Sequence, residues 1–309
     1  MELYNYFRSS ASYRVRIALA LKGLGYDYKS VHIAKNEQFT ESYAAVSASR
    51  LVPLLRDGEH TLTQSLAIIE YLDETHPEPP LLPEAPHERA RVRALALDIA
   101  CEIHPLNNLR VLRYLVRDLK VADADKDRWY RHWVETGLEV VERQLAAQPA
   151  RYCHGDAVLS QSLAIIEYLD ETHPSPPLLP GDARQRAQIR ALALDIACEI
   201  HPLNNLRVLR YLVNELKVSE DDKNRWYRHW VETGLEVVER QITKNGAGGP
   251  YCCGDTPTLA DCALVPQIFN AQRLECRTDH VPTVMRAFES CMRLDAFSKT
   301  QPSMCPDAT

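Results

Sequence analysis

The sequence predicts an α/β N-terminal domain followed by an all-helical part, and three observations support this class. Strand-like and helical segments alternate as βαβαββα through the first 82 residues. A proline-rich stretch, residues 78–83, then interrupts the pattern. Beyond it, apolar residues recur at the three- to four-residue spacing of amphipathic helices.

The N-terminal elements can be assigned in order from their patterns. The first strand, Glu2–Phe7, ends just before Ser9 and Ser10, and an amphipathic helix over residues 12–22 follows. This order, βαβ and then ββα, is typical of a thioredoxin-like domain. The remaining elements are a strand at 26–33, a short helix at 38–45, a hairpin turning at Asp57-Gly58 and a helix at 64–74.

Two local features of this domain suggest a ligand site. Free backbone N–H groups and the positive dipole end of the first helix favour an anion beside Ser9 and Ser10, although serine is also a common helix cap. Pro53 lies inside an apparent strand, where a cis Val52-Pro53 bond would turn backbone polar groups toward a peptide-like ligand. The alternative for Pro53 is an edge strand without a ligand.

An internal repeat dominates the rest of the chain. Residues 64–144 recur as residues 161–241, with 14 differences over 81 aligned positions and therefore 67 identities. Helices are predicted over residues 89–116, with a bend at His104-Pro105, and over 126–144. We call residues 64–144 copy one and residues 161–241 copy two.

The repeat has an unusual boundary. Copy one runs on through Tyr152–Asp156 and stops, whereas copy two continues through a capping box at Thr258–Asp261 to the C-terminus. The predicted domains are residues 1–82, a truncated helical domain at 86–156, and residues 161–309, which contain the repeated helix and a complete helical domain.

Composition limits the possible partners. The net charge of −6, with 45% hydrophobic and 25% charged residues, gives no reason to expect nucleic acid or a membrane as partner. The chain begins directly with a strand, which leaves no room for a signal peptide. The nine cysteines are scattered, so a cytoplasmic location is expected and no metal site is predicted.

Several motifs, taken in this order, resemble those of zeta-class glutathione transferases and, more narrowly, the maleylacetoacetate isomerase family. The motifs are residues 9–16, Val52-Pro53, Gln64-Ser65, residues 103–108, residues 254–261 and residues 270–273. The resemblance implies a thioredoxin-like domain that holds glutathione and a GST-type all-helical domain, here partly duplicated.

The resemblance also implies roles for individual residues. Ser9 and Ser10 would lie at the glutathione sulfur, and Arg273 would act with them by binding a substrate carboxylate. Simple capping by Gln64-Ser65, a polar helix break at residues 104–108 and a surface charge at Arg273 are the alternatives. Glutathione would be held by Gln38, Val52, Gln64, Ser65 and Asn108, and the substrate by Arg8, His104, Asn107 and Arg273.

The implied activity is glutathione-dependent cis–trans isomerisation of maleylacetoacetate, a small dicarboxylate, to fumarylacetoacetate in tyrosine and phenylalanine catabolism. Alternatives are a maleylpyruvate isomerase, a general glutathione transferase, or an inactive glutathione-binding protein. The family often has cysteine directly after the two serines, where this chain has Ala11. A mechanism that needs a protein thiol at this position is therefore excluded.

The duplication permits at most one complete glutathione site, because the Ser9-Ser10 turn and Val52-Pro53 occur once. The N-terminal domain would pack either on residues 89–144 or on residues 186–241. In the second case His201, Asn204 and Asn205 would replace their equivalents in copy one. The resemblance also implies a homodimer, although the extra helices would occupy or mimic that surface.

Overall fold

The computed structural model describes residues 1–146, 161–244 and 249–305. The N-terminal domain contains a four-stranded sheet in the order β2-β1-β3-β4, in which β1 is parallel to β2 and antiparallel to β3. The predicted βαβαββα order is confirmed. The elements are β1 (Glu2–Asn5), α1 (Ser10–Leu21), β2 (Asp27–Ser30), α2 (Glu41–Val46), β3 (Leu54–Asp57), β4 (His60–Thr63) and α3 (Ser65–Thr75).

Apolar residues of this domain meet between the sheet and two helices. Leu3 and Leu55 of the sheet pack against Val15 of α1 and Leu72 of α3, and all four are fully buried. The hairpin turn lies at Gly58-Glu59, one residue later than predicted, because Asp57 still pairs with His60. The Val52-Pro53 bond is cis, as predicted.

Copy one forms a helical domain whose first helix is interrupted. The single bent helix predicted over residues 89–116 is broken, because Pro105 has no N–H group with which to continue it. Asn108 then begins a new helix by accepting a hydrogen bond from the backbone N of Arg110 at 3.2 Å. The segments are α4 (Pro86–Leu97), a π-helical turn (Asp98–Ile103), a 3-10 turn (His104–Asn107), α5 (Leu109–Arg117) and α6 (Asp123–Ala146).

Copy two forms a matching set of helices, and the C-terminal helices follow it. The predicted capping box is present, since the Asp261 carboxylate accepts hydrogen bonds from the Thr258 backbone N at 2.8 Å and Thr258 Oγ1 at 2.9 Å. Tyr152–Asp156 lies outside the described residues. The helices are α7 (Ser162–Thr172), α8 (Ala183–Glu199), α9 (His201–Asn204), α10 (Leu206–Asn214), α11 (Glu220–Lys244), α12 (Leu259–Arg273), α13 (Pro282–Met292) and α14 (Asp295–Ser298).

The two copies contact each other through reciprocal pairs, as two subunits do across a two-fold axis. Arg110 Nη2 donates to Glu199 Oε2 at 2.5 Å, and Arg207 makes the same contact with Glu102. Cys101 and Cys198, which are equivalent by the repeat, are linked by a disulfide that the cysteine spacing did not predict. The copies therefore form an interface with internal two-fold symmetry inside one chain.

This symmetry determines what each copy covers. Helix α3 packs on α8 and α7 packs on α4, so the first helix of each copy lies on the other copy. Helices α12 and α13 pack on copy two, against α8 and α11. Among the described residues, no helix combines the length and apolar character needed to cross a membrane.

Candidate active site

The turn between β1 and α1 forms an N-terminal cap, as the sequence predicted. The Ser9 hydroxyl oxygen accepts a hydrogen bond from the backbone N of Ser12 at 3.2 Å. Since only this oxygen is used, the hydroxyl proton of Ser9 can still be donated to an anion. Ser10 is exposed at the first position of the helix. The N-terminus of α1 therefore carries two serine hydroxyls, and both its dipole and its free backbone N–H groups favour an anion there.

His104 of copy one lies across from this turn. Its Nδ1 is 3.2 Å from Ser10 Oγ. Burial, followed by the charges of Arg14 and Arg110, lowers the pKa of His104 to about 4. The imidazole is therefore neutral near pH 7 and can either donate to or accept from the Ser10 hydroxyl.

Gln64 and Ser65 lie at the start of α3, where β4 ends. Gln64 has a φ of 63°, in the left-handed region. Arg14 Nη1 donates a hydrogen bond to Ser65 Oγ at 2.6 Å. Ser65 is buried, and burial lowers the pKa of Arg14. This end of the site therefore combines a helix N-terminus with a partly desolvated guanidinium, which together favour a carboxylate.

Asp195 of copy two holds the Gln64 side chain by a hydrogen bond. Its Oδ1 accepts from Gln64 Nε2 at 2.6 Å, and its other oxygen accepts from Gln241. Asp195 is fully buried, and burial, with a further contribution from the Glu199 charge, raises its pKa to about 7. Copy two therefore positions a residue of the N-terminal domain.

A narrow cavity of about 40 Å³, which we call the Ser65 cavity, lies between His104 and the Gln64-Ser65 end of the site. It is smaller than a tripeptide, so a ligand of that size would extend along the groove beyond it. Both helical copies border it, which answers the question left open by the sequence. It is lined by Arg14, Val52, Gln64 and Ser65 of the N-terminal domain, by Ala100, His104 and Asn108 of copy one, and by Leu194, Cys198 and Glu199 of copy two.

The remaining predicted residues lie elsewhere. Gln38 is buried in a 3-10 turn, and its Oε1 has no hydrogen-bond partner among the described residues. Asn107 donates to the backbone oxygen of Ile103 at 3.2 Å, and Arg8 is exposed in the β1–α1 turn. Arg273 is exposed at the end of α12, and no described contact joins it to the two serines. Its position follows from the packing of α12 on copy two.

Two residues of the site were missed by sequence reasoning. Arg14 lies in the helix predicted over residues 12–22 but was not assigned to the site, although it follows Ser10 by one helical turn and so shares its face. Asp195 is a carboxylate inside an apolar helical run, and such a residue requires a partner when buried. That pattern could have identified Asp195 as a residue with a buried partner, but it could not have identified Gln64 as that partner.

Comparison with known proteins identifies the family. The family model described as "Glutathione S-transferase, N-terminal domain" matches residues 3–80. A probable maleylacetoacetate isomerase of Vibrio cholerae is 53% identical over 166 residues, which cover 53% of this chain and 77% of the relative.

Two further relatives give the same assignment. The maleylacetoacetate isomerase of Pseudomonas aeruginosa is 44% identical over 308 residues, covering 99% of this chain and 98% of the relative. A zeta-class glutathione S-transferase of Euphorbia esula is 40% identical over 158 residues, covering 51% of this chain and 69% of the relative. The chain belongs to the family of zeta-class glutathione transferases and maleylacetoacetate isomerases.

Proposed function

We propose that this chain catalyses the glutathione-dependent cis–trans isomerisation of maleylacetoacetate to fumarylacetoacetate. One observation carries the proposal. His104, whose Nδ1 is 3.2 Å from Ser10 Oγ, lines the same cavity as the Arg14–Ser65 pair, and the two sides suit the sulfur and the γ-glutamyl carboxylate of glutathione. The identity with maleylacetoacetate isomerases over almost the whole chain supports the same reaction.

The residues present fit glutathione. Arg14 is hydrogen-bonded to a neutral hydroxyl, so a γ-glutamyl carboxylate beside Ser65 would compensate its partly buried charge. Val52 and Pro53 line the same cavity, and Val52 stays a proposed glutathione contact there. Gln38 stays a predicted contact, although it does not line the Ser65 cavity.

Glutathione, when bound, supplies a thiolate that adds reversibly to the conjugated double bond of the substrate, which can then rotate. The chain contributes the proton-donating hydroxyl of Ser9 and the N-terminus of α1, which stabilise negative charge at sulfur. Neutral His104 holds the Ser10 hydroxyl in place. Arg8 and Asn107 stay proposed substrate contacts, whereas Arg273 would need to reach the groove from copy two.

The direct test is turnover of maleylacetoacetate by the purified chain with and without glutathione. We expect fumarylacetoacetate to form only when glutathione is present. A folded chain that binds glutathione but gives no product would instead be an inactive glutathione-binding protein. Faster turnover of maleylpyruvate would reassign the substrate and keep the reaction class.

The homodimer implied by the family is also open to test. The interface between the two copies has the reciprocal contacts of a two-fold dimer, and we propose that it takes the place of a dimer interface. We therefore expect size-exclusion chromatography with light scattering to give the mass of one chain, 35.1 kDa. Twice that mass would show that a further dimer surface exists.

A further inference from the structure

A disulfide joins the two copies at the wall of the Ser65 cavity. It links Cys101, in the π-helical turn of copy one, to Cys198 in α8 of copy two. Both cysteines are only 3% exposed. Cys198 lines the cavity, and so does Ala100, which precedes Cys101 in the chain. The crosslink therefore lies beside the site that we assign to glutathione.

Each linked cysteine lies three residues from a side chain that contacts the N-terminal domain. Cys198 follows Asp195, whose carboxylate accepts a hydrogen bond from that domain at 2.6 Å. Cys101 precedes His104, whose Nδ1 is 3.2 Å from Ser10 Oγ. Three residues are about one helical turn. The disulfide therefore fixes how far apart the two copies hold these two contacts.

Other contacts hold the copies together when the disulfide is open. Arg110 pairs with Glu199 at 2.5 Å, and Arg207 pairs with Glu102 in the reciprocal contact. Aromatic side chains of both copies also share one buried cluster. We therefore expect reduction of the disulfide to leave the chain folded and to remove a covalent constraint at the cavity.

The free cysteines among the described residues lie between positions 252 and 305, away from this link. Burial raises the pKa of the Cys253 thiol to about 12 and that of the Cys276 thiol to about 11. Such thiols stay protonated near pH 7 and react slowly. Cys305 is exposed and free, which makes it a suitable control position.

We propose that Cys101 and Cys198 form a reversible redox site, whose disulfide form favours glutathione binding and whose dithiol form weakens it. This inference rests on the proposed function. A preorganised site loses less conformational freedom when its ligand binds, which gives the linked form the higher affinity. By linkage, bound glutathione stabilises the disulfide against reduction by the same factor.

Glutathione itself supplies the electrons that open the disulfide. Its thiolate attacks the sulfur of Cys198, which the cavity makes accessible, and the sulfur of Cys101 leaves as a thiolate and takes up a proton. A second glutathione attacks the mixed disulfide and releases Cys198 as a thiol. Two glutathiones are thereby oxidised to one glutathione disulfide, and the cysteine pair gains two electrons and two protons.

The test is calorimetric titration of the full chain with S-methylglutathione, which has no thiol and so cannot open the disulfide. One sample is oxidised with diamide and the other is reduced with a phosphine. We expect a Kd about three- to tenfold higher for the reduced chain. Cys101→Ala removes the link at a position that does not line the cavity, and it should give the higher Kd in both samples. Cys305→Ala, the matched control, should keep the difference.

Equal Kd values for the oxidised and reduced wild type would overturn the inference, as would a redox response that persists in Cys101→Ala. Alkylation in denaturant should find two more protected thiols in the oxidised wild type than in oxidised Cys101→Ala. Equal numbers would show that the link does not form. Binding by neither form would contradict the proposed function as well, whereas equal binding by both forms would contradict this inference alone.

Discussion

The two copies of the repeat have nearly the same sequence, but their equivalent residues have different surroundings. Ser65 is buried and bonded to Arg14, whereas the equivalent Ser162 is exposed. His104 faces Ser10, whereas the equivalent His201 is exposed. The local sequence supplies the side chains, and the strands and first helix of the N-terminal domain supply the opposite wall of the site.

The C-terminal helices create the opposite asymmetry. Leu235 of copy two is fully buried, and α11, which carries it, packs against α13. The equivalent Leu138 of copy one is 51% exposed. Each copy therefore lacks what the other has, since copy one borders the N-terminal domain and copy two has a complete helical core. Equivalent substitutions in the two copies are consequently matched controls for each other.

The largest difference between the two copies is expected in the KM for glutathione when Ser65 and its equivalent Ser162 are substituted. Ser65→Ala removes a hydroxyl from the carboxylate end of the site and leaves Arg14 without its partner. Hydrogen bonds to charged groups contribute about 1.5–3 kcal/mol, so the KM for glutathione should rise about 10- to 100-fold. Steady-state kinetics should show Ser162→Ala within about twofold of the wild type, since this serine is exposed. Equal effects in both copies would contradict the assignment.

A smaller effect is expected at the aspartates behind the site. Asp195→Asn places an amide opposite the Gln64 donor, and we expect the KM for glutathione to rise about tenfold with kcat less affected. Asp98→Asn is the matched control, because Asp98 accepts from Gln144 in copy one as Asp195 does from Gln241. If both variants raise KM equally, Asp195 does not act through Gln64.

Substitutions of the equivalent residues His104 and His201 should differ less in their effect on kcat/KM. His104→Ala removes one neutral hydrogen bond to Ser10, which is worth about 1 kcal/mol or about fivefold in kcat/KM. His201→Ala should leave kcat/KM unchanged. A loss in His201→Ala as large as that in His104→Ala would show that the 201–205 segment also reaches the substrate.

The smallest expected effect concerns pH. With a pKa of about 4, His104 stays neutral in the folded chain, so His104→Gln should not move the inflections of kcat/KM between about pH 6 and pH 8.

The same pKa affects folding stability. Between the ordinary histidine pKa of about 6.5 and the pKa of about 4 in the folded chain, His104 binds a proton in the unfolded chain but not in the folded chain. Folding stability is therefore lost as pH falls from about 6.5 toward 4. Urea unfolding should show a smaller loss over that range in His104→Gln.

The sequence predicted most of the N-terminal fold, because its alternation of periods and its Asp-Gly turn are local signals. The Ser9 cap, the cis Val52-Pro53 bond and the Thr258–Asp261 capping box were accessible for the same reason. The Arg14–Ser65 contact was not, because it depends on how α1 lies against α3.

The packing of the first helix of each copy on the other copy could also not be predicted from the sequence. Asp195 follows Gln64 by 131 residues. The sequence could not show whether α4 of copy one or the near-identical α8 of copy two lies beside Gln64. The place of Arg273 depends on which copy α12 covers. Identical sequences cannot decide such a choice, so the three-dimensional packing was needed.

The central claim is that the chain assembles one glutathione site, bordered by both copies. Calorimetric titration of the purified chain with glutathione tests it most directly, with Ser65→Ala and Ser162→Ala measured alongside. We predict one glutathione bound per chain, with affinity lost in Ser65→Ala and kept in Ser162→Ala. Two glutathiones per chain, or equal loss of affinity in both variants, would contradict it.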